Sequence, residues 1–400
     1  MDELEKLQLL YNDGIALHEK GDYPGALSCY QAIVSRFPDA DLAWYNMGLA
    51  QYALDDYERA ADAFLAAARI NGRDSDYWYN AGLALKQARN YEQAVRCYEQ
   101  AMQHAPEDAD IAYNLGCCHQ AAGDLHKAVA AYEQALALDQ DHAPALGNLA
   151  YCVHRQGEYD RAGTLYERLV TLRPDDASAR FMVAALAGSD LDRPPDGYVA
   201  GLFDGYAETF EDDLVNKLAY RVPGLLRNMV EQEIAPLGPQ LVILDLGCGT
   251  GLSGQVFAPW KEQLIGVDLS TAMVDKARDK GCYDELVVGD VLTFLREEPC
   301  QADLIVAADL LTYLGALDEL FKLAAGRTRP GGWFCCSTEH GQDVNWQLQP
   351  SGRYVHAPEY VLAVARQAGW NLLARTGERI RKEQADWVRG DLFLFRKASR

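Results

Sequence analysis

Three aspartates sit where short apolar runs end. Asp245 follows residues 241–244, Asp268 follows residues 264–267, and Asp290 follows residues 285–289. Just after the first comes a glycine-rich turn, Gly247-Cys248-Gly249-Thr250-Gly251. That turn alone is ambiguous, because Gly249-Thr250-Gly251-Leu252-Ser253-Gly254 also fits a dinucleotide-binding G-x-G-x-x-G. The acids decide between the readings. A dinucleotide loop cradles a pyrophosphate at a helix N-terminus, whereas a sulfonium nucleoside carries an amino acid, a ribose and an adenine. Asp245 with the glycine backbone, Asp268 and Asp290 would meet those three parts in that order.

Group transfer from a sulfonium is an in-line displacement that needs alignment and a dry site, with at most a weak base. Candidate bases near the same edge are Asp309, Tyr313, Glu339 and His356. His356 titrates nearest neutrality and follows the pair Arg353-Tyr354. No histidine and carboxylate cluster shows metal-ligand spacing, which argues against a metal-dependent catechol mechanism.

Elements must bring these residues together. The runs 241–244, 264–267, 285–289, 304–308 and 333–337, the last after the turn Pro330-Gly331-Gly332, alternate with helical stretches. That rhythm predicts an α/β domain, a parallel sheet with helices on both faces and its site at the carboxyl ends of the strands. Ahead of it, Ser189 to Gly197, with Pro194-Pro195, reads as a linker.

The first half of the chain is a repeat of 34 residues, with windows beginning at Leu7, Asp41, Ser75, Ala109 and Ala143. The eighth residue is small (Gly14, Gly48, Gly82, Gly116, Ala150) and the twentieth is alanine (Ala26, Ala60, Ala94, Ala128, Ala162). The twenty-fourth is aromatic: Tyr30, Phe64, Tyr98, Tyr132 and Tyr166. Small residues let two antiparallel helices approach, and the aromatic is expected to fill the gap toward the next pair. Pro38, Pro106 and Pro174 stop second helices.

The sixth position is asparagine in every window: Asn12, Asn46, Asn80, Asn114 and Asn148. At 100° per residue this position faces away from the packed side, and asparagine is a mediocre helix former. An amide offers one acceptor and two donors, which suits the backbone of an extended peptide. Position nine (Ile15, Leu49, Leu83, Cys117, Tyr151) lays an apolar strip beside it, and position two carries Asp76 and Asp110 but no lysine. The alternative is that the asparagines bond neighbouring repeats.

On these residues, the segment 7–176 resembles the tetratricopeptide family, and the asparagines resemble the ladder by which some such solenoids hold peptides. From Gly197 onward the chain resembles class I S-adenosylmethionine-dependent methyltransferases. The resemblance implies S-adenosyl-L-methionine as cofactor and S-adenosyl-L-homocysteine as product. It implies Asp245, Gly247, Cys248, Gly249 and Gly251 at the methionine and ribose end, Asp268 on the ribose hydroxyls, Leu269 and Met273 against the adenine, Asp290 and Val291 at the adenine amine, and Ala307 beside the methionine. The motif of amide-methylating members, an Asn or Asp followed by two prolines and an aromatic, is replaced by Ala307-Ala308-Asp309-Leu310. That argues against amide and exocyclic-amine acceptors.

A closer resemblance is to bacterial methyltransferases that carry tetratricopeptide repeats. It is carried by Phe203-Asp204-Gly205-Tyr206-Ala207, Phe210 with Leu214-Val215, Ala308-Asp309-Leu310 to Gly315, and Ser351-Gly352-Arg353-Tyr354 with His356. It implies a lid helix over the cofactor, with Tyr206 at the cofactor, and a peptide or protein captured by the solenoid for methylation. A small-molecule acceptor, with the repeats used for docking or dimerisation, is the alternative. The expected domains are 1–187 (repeats 7–40, 41–74, 75–108, 109–142 and 143–176 with capping helix 177–187), linker 188–200, and catalytic domain 201–400 with the lid at about 201–230.

A formal charge of −22 repels polyphosphate backbones, so nucleic acid is not expected as a partner. No run reaches the roughly 18 apolar residues of a membrane helix. The first residues are acidic where a signal peptide would be basic. Ten cysteines form no C-x-x-C pair, and a reduced, cytoplasmic protein is expected.

Overall fold

The computed structural model describes residues 3–189, 191–207, 210–233, 240–342, 345–383 and 386–398. The chain divides into two compact units, 1–174 and 175–400.

Among its described residues the first unit has ten helices in five hairpins: α1 (Glu3–Glu19) with α2 (Tyr23–Arg36), α3 (Asp41–Ala53) with α4 (Tyr57–Ile70), α5 (Ser75–Gln87) with α6 (Tyr91–His104), α7 (Ala109–Ala121) with α8 (Leu125–Leu138), and α9 (Ala143–Arg155) with α10 (Tyr159–Leu172). Each of α2, α4, α6 and α8 starts at an Asp or Asn cap, whose side chain accepts the N–H of Gly25, Arg59, Gln93 or Lys127. α2, α6 and α10 end two residues before Pro38, Pro106 and Pro174.

The repeat's spacing is explained by one contact. A Cβ added at Gly14, Gly48, Gly82 or Gly116 would lie 2.8, 2.7, 2.8 or 2.5 Å from the ring of Tyr30, Phe64, Tyr98 or Tyr132. The aromatic therefore packs over the glycine of its own hairpin and, as the sequence suggested, also meets the next one, Tyr30 packing with Ala43 and Met47 and Tyr98 with Ile111 and Cys118. Those four rings are fully buried, and burying a side chain of that size contributes about 1.5–3 kcal/mol.

The second unit begins with α11 (Ala177–Leu186) and α12 (Asp196–Tyr206). The expected division at 187 is corrected here, because α11 is anchored within this unit: Phe181 packs on Tyr198 of α12 at 4.8 Å between ring centroids. The expected lid of 201–230 is also not one helix. It comprises the end of α12, a π-helical turn at Asp212–Lys217 and the start of α13 (Val222–Glu233). Ala219, at φ 53°, occupies the left-handed region that a helix cannot continue through. Asp190 of the expected linker, and Glu208 and Thr209 of the expected lid, lie outside the described residues.

The sheet follows: β1 (Leu241–Leu246), α14 (Leu252–Phe257), β2 (Lys261–Asp268), α15 (Thr271–Asp279), β3 (Glu285–Val288), α16 (Val291–Glu297), β4 (Ala302–Ala307), α17 (Asp318–Arg327), β5 (Thr328–His340), β6 (Trp346–Leu348), β7 (Tyr354–His356), α18 (Pro358–Gln367), β8 (Trp370–Glu383) and β9 (Asp386–Lys397). β3, β2, β1, β4 and β5 are parallel neighbours in that order. The order reverses between β1 and β4, which creates a crevice at their carboxyl ends.

Alternation along each strand divides the core between two faces. Leu244, Ile265, Ile305 and Phe334 pack with Leu292, Phe321 and Val361, while Ile243, Leu264, Leu304 and Cys335 pack with Leu226, Met229 and Phe257.

Three features depart from the expected sheet, the first being that β6 pairs antiparallel with β7. The long hairpin of β8 and β9 continues the sheet antiparallel to β5. Residues 330–332, expected as a turn before the fifth strand, lie inside β5 as an irregularity that skips the register from Ala302↔Thr328 to Leu304↔Trp333.

Candidate functional site

The site grows from the carboxyl ends of β1, β2 and β3. Gly247, Gly249 and Gly251 all have positive φ (69°, 52° and 89°), a conformation glycine adopts without steric cost. The turn they make folds back on β2, where Gly247 N and Cys248 N both donate to Val267 O at 2.8 and 3.0 Å. A Cβ at Gly247 would meet Leu310 Cβ at 3.3 Å.

Asp268 organises this turn. Its Oδ2 accepts from Gly249 N and its Oδ1 from Ser270 N, each at 2.9 Å. Burial pushes the carboxyl up, against the pull of those N–H groups. Asp290 is the N-cap of α16, its Oδ1 accepting from Thr293 N and Thr293 Oγ1 at 2.9 Å. Its Oδ2 accepts from Arg193 Nη2 at 3.0 Å.

Asp245 is 1% exposed. Its Oδ2 accepts from Tyr283 OH at 2.6 Å, while Oδ1 has no partner among the described residues. Burial pushes this carboxyl up to about 7.

A cavity opens over Asp268, Asp290 and the glycine turn, while Asp245 lies outside its lining. Of the sequence-predicted cofactor residues it is lined by Gly247, Gly249, Asp268, Leu269, Met273, Asp290 and Val291, and of the catalytic candidates by Asp309 and Tyr313. Two carboxylates, apolar faces at Leu269, Met273 and Val291, and close-approach glycine backbone fit a nucleoside with hydroxyls and an exocyclic amine. The orphaned, buried oxygen of Asp245 marks a further unmet acceptor at the same edge.

Other predicted residues lie elsewhere. Cys248 and Ala307 are buried within the structure and Gly251 caps α14, and none of the three lines the cavity. Tyr206 packs edge-on against Phe210, which does line it.

The largest correction concerns His356. It is fully buried, its Nε2 donates to Gly315 O at 3.1 Å, and its ring stacks on Tyr360. Burial lowers its pKa to about 4, and it does not reach the cavity. Tyr354 is likewise buried, against Trp346.

Arg353 lies behind the cavity and binds two groups that line it. Its Nη1 donates to Tyr313 OH at 2.6 Å, and its Nη2 to Asp309 Oδ1 and Oδ2 at 3.0 and 3.2 Å. Its Nε donates to Glu339 at 2.6 Å, and Arg381 donates to the same Glu339 oxygen at 2.9 Å. Burial would raise the Glu339 carboxyl, but the two guanidiniums hold it below the ordinary range. Glu339 is therefore a fixed counter-ion, not a base. For Asp309 burial prevails over Arg353, and its carboxyl is raised.

Sequence reasoning missed Arg193, Tyr283 and Arg381. Arg193 stood beside linker prolines, and Tyr283 in a loop after α15, so neither carried a pattern. Among the described residues, no group of three or more His, Cys, Asp or Glu could hold a metal ion, and no helix is long and apolar enough to cross a membrane.

In the first unit the asparagines turn toward their neighbours. Asn46, Asn80 and Asn114 donate through Nδ2 to Tyr11, Tyr45 and Tyr79 hydroxyls one repeat back, at 2.7, 3.3 and 3.2 Å. Asn148 Nδ2 donates to Tyr132 OH at 3.1 Å, and Asn12 accepts from Gln8 within its own helix. Asn114 is 5% exposed and also accepts from Lys86 Nζ at 2.6 Å, so the exposed ladder is corrected there. Tyrosine at the fifth position of four windows was the visible signal for this arrangement.

Residues 243–332 match the family model described as methyltransferase domain. Residues 11–75, 74–141 and 118–177 match models described as tetratricopeptide repeat. Methyltransferase-like protein 27 of Homo sapiens is 34% identical over 177 residues, 42% of this chain and 65% of that protein, so the match spans just under two thirds of the relative. Ubiquinone biosynthesis O-methyltransferase of Coxiella burnetii is 26% identical over 166 residues, 37% of this chain and 70% of that one. Among solved structures, the crystal structure of MamA protein is 18% identical, with a TM-score of 0.41, and covers 43% of this chain and 94% of its own. The chain thus carries tetratricopeptide repeats followed by a methyltransferase domain.

Proposed function

We propose that the chain is an S-adenosylmethionine-dependent methyltransferase, its second unit holding the cofactor and its repeats capturing a peptide or protein that is methylated. The observation that carries the first part is the convergence of Asp268, Asp290 and the Gly247 and Gly249 backbone on one cavity. When bound, the cofactor supplies an electrophilic methyl group. Asp268 would hold the ribose hydroxyls and Asp290 the adenine amine, with Leu269, Met273 and Val291 against the base. The methionine end would lie toward Asp245.

The protein's own part in the reaction is alignment and proton handling. Arg353 fixes both Asp309 and Tyr313. Because Tyr313 oxygen accepts from Arg353, its own O–H is left to donate. Burial raises its pKa to about 12, so it acts as a neutral donor. Asp309, raised by burial, is the weak base. Phe203 and Phe210, packed against each other, line the cavity and would help to exclude water from it.

For the repeats, the support is the family and the amide oxygens of Asn46, Asn80 and Asn148. Among the described residues these oxygens accept no hydrogen bond, so they are available to the N–H groups of an extended chain. A small-molecule acceptor is the second reading, favoured by the printed name of the Coxiella relative. Incubating the full chain with methyl-labelled cofactor and host lysate separates the two. Label in the protein fraction supports capture and methylation of a polypeptide, and label confined to small molecules replaces that reading with the second.

A further inference from the structure

The cofactor reading leaves one ion pair without a role. Arg193, ahead of α12, donates to Asp290 Oδ2 at 3.0 Å across 97 residues of sequence. Its side chain is 36% exposed and that of Asp290 14%, and both line the cavity, so the pair lies where the cavity meets solvent. The other oxygen of Asp290 is committed to its own helix through Thr293. Whatever donates to Asp290 from the cavity must therefore share the oxygen that Arg193 holds. A carboxylate oxygen has two acceptor positions, so sharing is possible.

Arg193 is also tied to Asp196 in the first turn of α12. The segment it belongs to is pinned on two more sides. Gly315 N donates to Asp192 O at 2.7 Å, and a Cβ at Gly315 would lie 2.9 Å from that oxygen. Asp204 accepts from Ser270 Oγ at 2.5 Å and Ala272 N at 3.3 Å at the start of α15. Among these three attachments, Arg193 is the one bonded to an acid that lines the cavity.

We propose that Arg193 is a latch on the adenine end of the cofactor site: it orients Asp290 for the exocyclic amine and must release for the nucleoside to leave. The proposal rests on the cofactor reading above. A charged hydrogen bond of this kind is charge-assisted and directional, and the guanidinium fork supplies a geometry that lysine lacks.

The test uses the full chain and S-adenosylhomocysteine as probe, with affinity measured by calorimetry and dissociation by stopped-flow. Arg193→Ala should weaken binding ~10-fold, mostly through faster dissociation. Arg193→Lys should recover part of the loss. The preference of the wild-type protein for the probe over its N6,N6-dimethyl analogue should shrink in Arg193→Ala, a change that a merely structural role would not produce. Affinity and dissociation within ~2-fold of wild type in Arg193→Ala, with the preference intact, would overturn the latch while leaving the cofactor reading standing. A wild-type chain that does not bind the probe overturns both.

Discussion

The two units solve the problem of close packing in opposite ways. In the solenoid one contact, an aromatic ring on a glycine, recurs at Gly14, Gly48, Gly82 and Gly116. In the sheet unit one ring, Tyr283, lies over three glycines at once: a Cβ at Gly251 or Gly266 would lie 3.0 or 2.8 Å from it, and one at Gly254 would overlap its ring and hydroxyl. Repetition spreads stability over near-equivalent neighbours, whereas in the sheet unit a single ring supports the turn and strand ends beside the cavity. A lesion in the first should be local and structural, and a lesion in the second should appear in ligand binding.

The sharpest break of that contrast is Asp268→Ala. It removes the carboxylate that ties Gly249 to β2 and would hold the ribose, so S-adenosylhomocysteine affinity should fall ~100-fold. Calorimetry measures this, and helical circular dichroism should be unchanged. The mirror experiment is Gly116→Ala, whose Cβ would lie 2.5 Å from Tyr132 Cε1. It should cost about 1–3 kcal/mol of solenoid stability by thermal melting and leave probe affinity untouched.

Asp245→Asn probes a buried charge in the sheet unit. The folded carboxyl titrates at about 7, above its ordinary value of about 3.9. Its contribution is full below that ordinary value and is lost as pH rises through 7. The ligand-free variant should therefore melt ~2–4 °C higher than wild type at pH 8, with the gap closing toward pH 4. His356, lowered to about 4, acts in the opposite sense, losing its contribution as pH falls through 4. It is common to both proteins, so the difference between them isolates Asp245.

Asn114→Ala, which strips bonds from Tyr79 and Lys86, should cost about 1 kcal/mol and Asn12→Ala less, by chemical denaturation. The smallest effect belongs to His356→Asn, which should change probe affinity less than ~2-fold because the ring does not reach the cavity.

The same contrast explains what was legible in the sequence. Five in-phase windows announced the hairpins, and strand-end acids announced the cavity, because both are local patterns with a fixed period or position. The role of the asparagines was misread in part because their tyrosine partners lie 35 residues away, although the register could have revealed them. His356 seemed suited to catalysis from its titration alone, while its burial beneath Tyr360 is a tertiary fact. Arg353 was legible as a candidate, but its grip on both Asp309 and Tyr313 depends on β7 pairing with the end of β5. Arg193 and Tyr283 sit in connecting segments, where no periodicity marks which side chain turns inward. The β8–β9 hairpin escaped notice because the alternating β-α rhythm ends before it.

The central claim is that the strand-end acids of the second unit hold the cofactor. Its most direct test is calorimetric titration of the full chain with S-adenosylhomocysteine, comparing wild type, Asp268→Ala and Gly116→Ala. The account predicts one site per chain in wild type and Gly116→Ala, and its loss in Asp268→Ala. Absence of binding in the wild type, or undiminished binding in Asp268→Ala, would contradict it.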